Sequence, residues 1–259
     1  MTKQIHPSAQ PGVKNSNFSK NSVRINKFLA QAGFGSRRGV EELIINQKVR
    51  IKFAEDDFKI AKLGDRVNSE TDIVEVNGIS VNDKDELVYF ALNKPVGYTS
   101  SVREKCAEKL VVDLVPKKPK IYPVGRLDKN SRGLLILTND GEFTNLLTHP
   151  KYQHKKEYEV KVSSKNENIK SNIGRLKRGM KLKEGTAKFD EFEITEINES
   201  KGLARLRVVI HQGWNRQIRR MCALVGLEVM DLKRTGIGKL KLGDIGEGNY
   251  REIEKKDVI

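Results

Sequence analysis

Apolar residues fall along this chain in three patterns, and each pattern predicts a different element. Leu134-Leu135-Ile136-Leu137 is a continuous apolar run between turn residues, too short for a helix and consistent with a strand buried on both faces. Leu87-Val88-Tyr89-Phe90-Ala91-Leu92 reads the same way. From His154 to Val162 the pattern alternates: Tyr158, Val160 and Val162 share one side and polar residues the other, as in a half-buried strand. Leu203 to Ile210, Lys48 to Ile51, and Ile73 to Val76 closed by Asn77-Gly78 are further strands.

The third pattern has helical spacing. Ile25, Phe28, Leu29 and Ala32 fall on one face before Gly33 and Gly35 stop the helix. Ser36 is placed to cap a second helix that turns Val40, Leu43 and Ile44 inward. Asp140 is placed to cap a third carrying Phe143, Leu146 and Leu147, with Pro150 ending it. After Gln212-Gly213-Trp214, a helix capped by Asn215 presents Ile218, Met221, Cys222 and Val225 inward until Gly226. On that wheel Arg219 lies on the shoulder of the apolar stripe, whereas Arg216 and Arg220 point away. A weak helix is expected around Ala107 to Leu110.

These elements group into a disordered tail over 1–22, a small module over 23–81, a linker at Asn82 to Asp85, and a larger domain over 86–255. The formal charge of +15 and a pI near 9.7 point to a polyanionic partner. Cys106 and Cys222 are too few and too far apart for a disulfide framework or a zinc site, and the 4 histidines are scattered, so no metal is expected. With no apolar stretch of bilayer length and no signal-peptide core, a soluble cytoplasmic protein without a membrane partner is expected.

The segment from Lys120 to His149 carries the candidate chemistry. Gly125-Arg126-Leu127-Asp128 places a lone carboxylate in a polar loop just ahead of the doubly buried strand, so Asp128 sits at the rim of a core with its backbone fixed on both sides. Ser131, Gly133-Leu134-Leu135 and Thr138-Asn139-Asp140-Gly141 follow. This arrangement resembles the catalytic motif of the ribosomal RNA pseudouridine synthases, in the branch that modifies the small subunit and a few large-subunit sites. Within that branch the chain is most similar to a large-subunit enzyme. Three other stretches match the family's motifs: Asn93-Lys94-Pro95 with Gly97, Lys156 with Tyr158 and Val160, and Asn215-Arg216-Gln217-Ile218-Arg219-Arg220-Met221. The similarity runs from about Val23 to Glu252.

The resemblance implies an α+β fold, with a mixed, mainly antiparallel sheet flanked by helices around a central cleft. It implies isomerisation of uridine to pseudouridine in ribosomal RNA, most directly that of the large subunit, without any cofactor. Transfer RNA or small-subunit RNA is the alternative substrate, and a non-enzymatic RNA-binding assembly protein the alternative function. A monomer is expected, since RNA supplies the large interface. Asp128 is the implied catalytic residue, Tyr158 the platform beneath the flipped base, and Arg219 the partner of Asp128. A semi-buried arginine also needs a carboxylate on physical grounds, and such a pair favours the ionised acid. Leu127 and Ile218 are expected to form the apolar wall, and Arg126, Lys129, Arg132, Arg216 and Arg220 to contact phosphates, with Arg126 wedging into the space the base leaves. Lys94 is assigned a supporting place beside the catalytic loop. Whether Asp128 attacks carbon or removes a proton is left open by the sequence.

The module over 23–81 resembles the alpha-L RNA-binding motif, which puts Arg24, Lys27, Ser36, Arg37 and Arg38 against RNA. Cations are disfavoured at a helix N-terminus, so Arg37 and Arg38 in the first turn of their helix point to a phosphate ligand there.

Overall fold

A computed structural model describes residues 22–54, 56–81, 86–103, 108–117, 119–164 and 168–259. The chain divides into two compact units, Met1–Asp85 and Glu86–Ile259. The tail expected over 1–22 lies outside the described residues except for Ser22, and so does the linker from Asn82 to Asp85. Ser22 is buried and held by the Arg66 side chain.

In the first unit, β1 (Val23–Arg24) leads into α1 (Ile25–Gln31), and α2 (Arg37–Ile45) follows. The Ser36 hydroxyl accepts the Gly39 N–H at 3.0 Å, which satisfies one of the orphan donors at the start of α2. Beyond the helices come β2 (Val49–Lys52), β3 (Lys59–Ile60), β4 (Arg66–Val67), β5 (Ile73–Val76) and β6 (Ile79–Ser80). They form a sheet in the order β3-β2-β5-β6 and a separate β1-β4 pair. Asn77 and Gly78 both have positive φ (52° and 81°), the conformation of a tight two-residue hairpin turn. Ile25, Leu29, Val40, Ile44, Val49, Ile51, Val74 and Val76 meet in one core.

The second unit has an α+β fold. Its strands are β7 (Tyr89–Lys94), β8 (Tyr122–Pro123), β9 (Arg132–Thr138), β10 (Lys156–Ser164), β11 (Met180–Leu182), β12 (Gly185–Ala187), β13 (Glu191–Asn198), β14 (Leu203–Ile210), β15 (Leu227–Ile237), β16 (Leu240–Lys241) and β17 (Tyr250–Glu252). The main sheet runs β13-β14-β10-β15-β9-β7-β17, with β16 on β15 and β8 on β9. The β9-β15 contact is parallel and the other pairings are antiparallel. Helices α3 (Gly141–Thr148), α4 (Ile169–Lys177) and α5 (Gln217–Leu224) pack against it.

The strand expected from the apolar run is β9, and it is buried on both faces. Leu134 and Ile136 pack with Phe143 and Leu147 of α3, while Leu135 and Leu137 join Phe90, Leu92, Val160 and Ile218 on the opposite side, the period-two segregation of a central strand. Asp140 caps α3 by accepting the Glu142 and Phe143 N–H groups at 2.9 and 3.0 Å. Its other oxygen takes the Tyr89 hydroxyl at 2.8 Å and Lys255 Nζ at 2.6 Å. Burial alone raises the pKa of this carboxyl, but Lys255, the Phe143 N–H and Tyr89 outweigh it and hold the group below the usual carboxylate range.

Two expected elements are corrected. Around Leu110 the chain makes an isolated bridge with Thr99 and then a 3-10 turn over Val111–Leu114, not a helix; Ala107 lies outside the described residues. Asn215 does not cap α5. Arg216 occupies the cap position in the left-handed region (φ 48°) with no side-chain cap, because the tight turn from Trp214 to Gln217 leaves Asn215 exposed.

Gly133 has a φ of +101°, and a Cβ placed there would lie 2.3 Å from the Arg234 carbonyl oxygen and 2.7 Å from its nitrogen. Both contacts are with backbone where β9 meets β15, so nothing flexible can yield. Gly133→Ala is expected to destabilise the second unit by about 3 kcal/mol or more, read from its urea midpoint. A midpoint within experimental error of wild type would contradict the required close approach.

Candidate active site

The loop from Gly125 to Ser131 is held through bonds to its backbone groups. Gly125 starts it at φ 72°. The Ser100 hydroxyl donates to the Leu127 carbonyl at 2.9 Å and accepts the Leu127 N–H at 3.1 Å. Gly97 N–H donates to the Lys129 carbonyl at 2.8 Å, and Ser131 N–H to that of Asp128 at 3.0 Å. Lys94, fully buried at the end of β7, donates to the carbonyls of Pro95 (3.0 Å), Asp128 (3.1 Å) and Ser131 (2.6 Å). The Lys-Pro-x-Gly stretch is thus a clamp beneath the loop.

Above this clamp opens a cleft of about 620 Å³. Asp128 and Tyr158 both line it, as do Arg126, Leu127, Lys129, Arg216 and Ile218. Tyr158 is 7% exposed and belongs to the buried face of β10, so its ring forms part of the cleft wall. The sheet brings Asp128, at the entry to β9, and Tyr158, from β10, to one place across the parallel β9-β15 seam.

The arginines do not sit as expected. Arg216, not Arg219, forms the ion pair with Asp128, at 3.7 Å. Arg219 spends its donors on the Asn130 carbonyl (2.7 Å), the Ser131 hydroxyl (3.3 Å) and the Val229 carbonyl (3.2 Å). The reason is local: the left-handed backbone of Arg216 carries its side chain toward Asp128, while these acceptors surround the Arg219 guanidinium. Burial, then the neighbouring Arg216, lowers the pKa of Arg219.

Two of the expected phosphate contacts are already engaged by acids. Arg132 makes a two-point bond to Asp231 at 2.9 and 2.7 Å, and Arg220 another to Glu184 at 3.0 and 3.0 Å. Neither is among the residues that line the cleft. In the first unit Arg24, Arg37 and Arg38 are exposed, and Lys27 lies on α1. The Ser36 oxygen is taken up by the helix cap.

Two charged residues of the cleft were missed: Lys156 and Arg234. The signal for Lys156 was present, since positions 156, 158, 160 and 162 share parity and therefore a face. Burial pushes the Lys156 ammonium down to about 8, with Arg234 adding to the effect, and burial likewise brings Lys94 to about 8.

The fold and cleft can be set beside known proteins. Residues 88–224 match the family model described as RNA pseudouridylate synthase. The chain belongs to the RNA pseudouridine synthases. It is 39% identical over 236 residues to ribosomal large subunit pseudouridine synthase B of Bacillus subtilis (strain 168), covering 91% of this chain and 93% of that protein. It is 36% identical over 242 residues to the dual-specificity RNA pseudouridine synthase RluF of Salmonella typhi, covering 92% of this chain and 78% of that one. A crystal structure of a pseudouridylate synthase shares the fold, with a TM-score of 0.58 at 24% identity over 91% of this chain and 97% of that one. The chain is therefore an RNA pseudouridine synthase enzyme.

The lowered lysines give this synthase a signed pH dependence. Their folded-state pKa values lie below that of an unfolded lysine, so between about pH 8 and pH 10 the unfolded chain binds more protons and stability rises with pH. The urea midpoint is expected to increase across that window, and by less in Lys156→Gln; a falling midpoint would contradict the buried-cation picture.

Proposed function

We propose that this synthase isomerises specific uridines in the large-subunit ribosomal RNA, using Asp128 as its catalytic carboxylate. The supporting observation is that Asp128 and Tyr158 share one cleft, with the backbone around Asp128 fixed by Lys94, Ser100, Gly97 and Arg219. Similarity to a large-subunit enzyme along nearly the full length of both chains supports the substrate class.

In this reading the target uridine leaves its stack and enters the cleft, at a cost of about a few kcal/mol met by stacking and phosphate contacts. The Tyr158 ring, with Leu127 and Ile218, receives the base. The Asp128 carboxylate acts at the ribose, by bonding C1′ or by taking the C2′ proton. Arg126 and Lys129, exposed at the rim, meet phosphates, and Arg126 fills the space the base vacates. Arg216 pairs with Asp128 in the free enzyme and is positioned to exchange that carboxylate for a phosphate, while Arg219 orients Asp128 through the loop carbonyl of Asn130. Arg132 and Arg220 brace the walls through Asp231 and Glu184. The first unit, with Arg24, Lys27, Ser36, Arg37 and Arg38, anchors the RNA as an alpha-L-type module.

Mapping pseudouridine in total RNA from cells with and without the gene tests the substrate class. Loss of one or more sites in the large-subunit RNA is expected, restored by wild type and not by Asp128→Asn. Sites lost only from transfer or small-subunit RNA would overturn the substrate, and no loss anywhere would leave a non-enzymatic RNA binder. Tyr158→Phe is expected to keep RNA binding and reduce turnover; an unchanged rate would limit Tyr158 to stacking.

A further inference from the structure

Two cations, Lys156 and Arg234, line the cleft together with Tyr158. Lys156 and Tyr158 extend from the same face of β10, and Arg234 on β15 is the register partner of Tyr158. Arg234 is 3% exposed. Its Nε donates to the Leu134 carbonyl at 2.7 Å, while one terminal nitrogen, although buried, has no partner among the described residues. Lys156 Nζ donates to the carbonyls of His154 and His211 at 3.2 and 3.3 Å, and no carboxylate among the described residues pairs with it or with Arg234. A buried, unsatisfied guanidinium nitrogen is costly, and two neighbouring cations repel. Such an arrangement is at ease only when an anionic or strongly accepting ligand lies between them.

We propose that Lys156 and Arg234 form a cationic seat that holds the carbonyl oxygens of the target uracil and carries the negative charge the ring acquires while detached from its ribose. The inference rests on the reading of Asp128 given above and adds what stabilises the leaving group. Breaking the C1′–N1 bond sends the bonding pair onto the base, where the charge spreads over N1, O2 and O4. Asp128 holds C1′ through a carboxylate oxygen, or takes the C2′ proton and later returns it; the base departs as an anion in both cases. The ring then turns, C5 bonds to C1′ as any bond between C1′ and Asp128 breaks, the C5 proton leaves, and N1 gains one. Substrate and product are isomers, so nothing else is consumed. A seat that binds O2 and O4 from one side keeps the free ring in the cleft through that rotation.

The charged and titratable groups around Lys156 are Arg234 on β15, His154 ahead of β10, His211 just after β14, Tyr158 on β10, and the cleft residues Asp128, Arg126, Lys129 and Arg216. Protonated Lys156 is required, so turnover on ribosomal RNA from cells lacking the enzyme is expected to fall as pH rises through about 8, over the same window in which the folded protein becomes more stable. A merely structural lysine would not separate the two. Lys156→Met is expected to lower kcat at least about 30-fold with KM changed less than about 3-fold, the scale of losing one donor to a developing anion. Lys156→Arg is expected to recover much of that rate and to move the alkaline limb upward, and Arg234→Gln to lower kcat likewise. A wild-type profile flat to pH 9.5, or a Lys156→Met kcat within 3-fold of wild type, would overturn the seat while leaving Asp128 catalysis intact. A wild-type protein that makes no pseudouridine would overturn both.

Discussion

Lys94 is a cation removed from water, and the site is built on where its three N–H bonds go. They reach the carbonyls of Pro95, Asp128 and Ser131, so one ammonium joins the turn after β7 to both sides of the candidate catalytic residue. Desolvation disfavours the charge and draws the group down to about 8, while three carbonyl acceptors and the carboxylate of Asp128 favour it. Neutralising or removing it would leave buried carbonyls unsatisfied. The flanking bonds from Ser100, Gly97 and Arg219 then use the carbonyls of Leu127, Lys129 and Asn130, so Asp128 is presented from a backbone with little freedom, as positioning for catalysis requires.

Positive charge in the second unit divides by what it touches. Arg132 and Arg220 are bonded to Asp231 and Glu184 and brace the framework, whereas Arg126 and Lys129 stand exposed at the mouth. Lys156 and Arg234 lie within it. A uniformly basic composition therefore conceals three roles: brace, rim and floor. The parallel seam between β9 and β15 sets where they meet, because only Gly133 lets the Arg234 backbone come close enough.

Much of this was legible in the sequence where local rules decide. The doubly buried β9, the alternation of β10, and the caps at Ser36 and Asp140 follow from periodicity and side-chain reach, and each forms as expected. Partner choice among adjacent arginines was not legible, because a helical wheel assumes a regular helix and the left-handed Arg216 breaks that regularity. Nor could the wheel show that Arg219 would find carbonyls closer than the acid. Arg234 gave no signal at all, since its place depends on strand order across β10, β15 and β9, and strand order is a property of topology.

The dependence of the site on the buried ammonium is tested most directly by hydrogen exchange on Lys94→Met beside wild type. Loss of protection confined to the segment from Leu127 to Ser131, with the amides of β9 and α3 still protected and turnover reduced about 100-fold, is the expected result for a loop misplaced by about 1 Å. Unchanged exchange in that segment together with wild-type turnover would contradict the claim that Lys94 holds Asp128 in place.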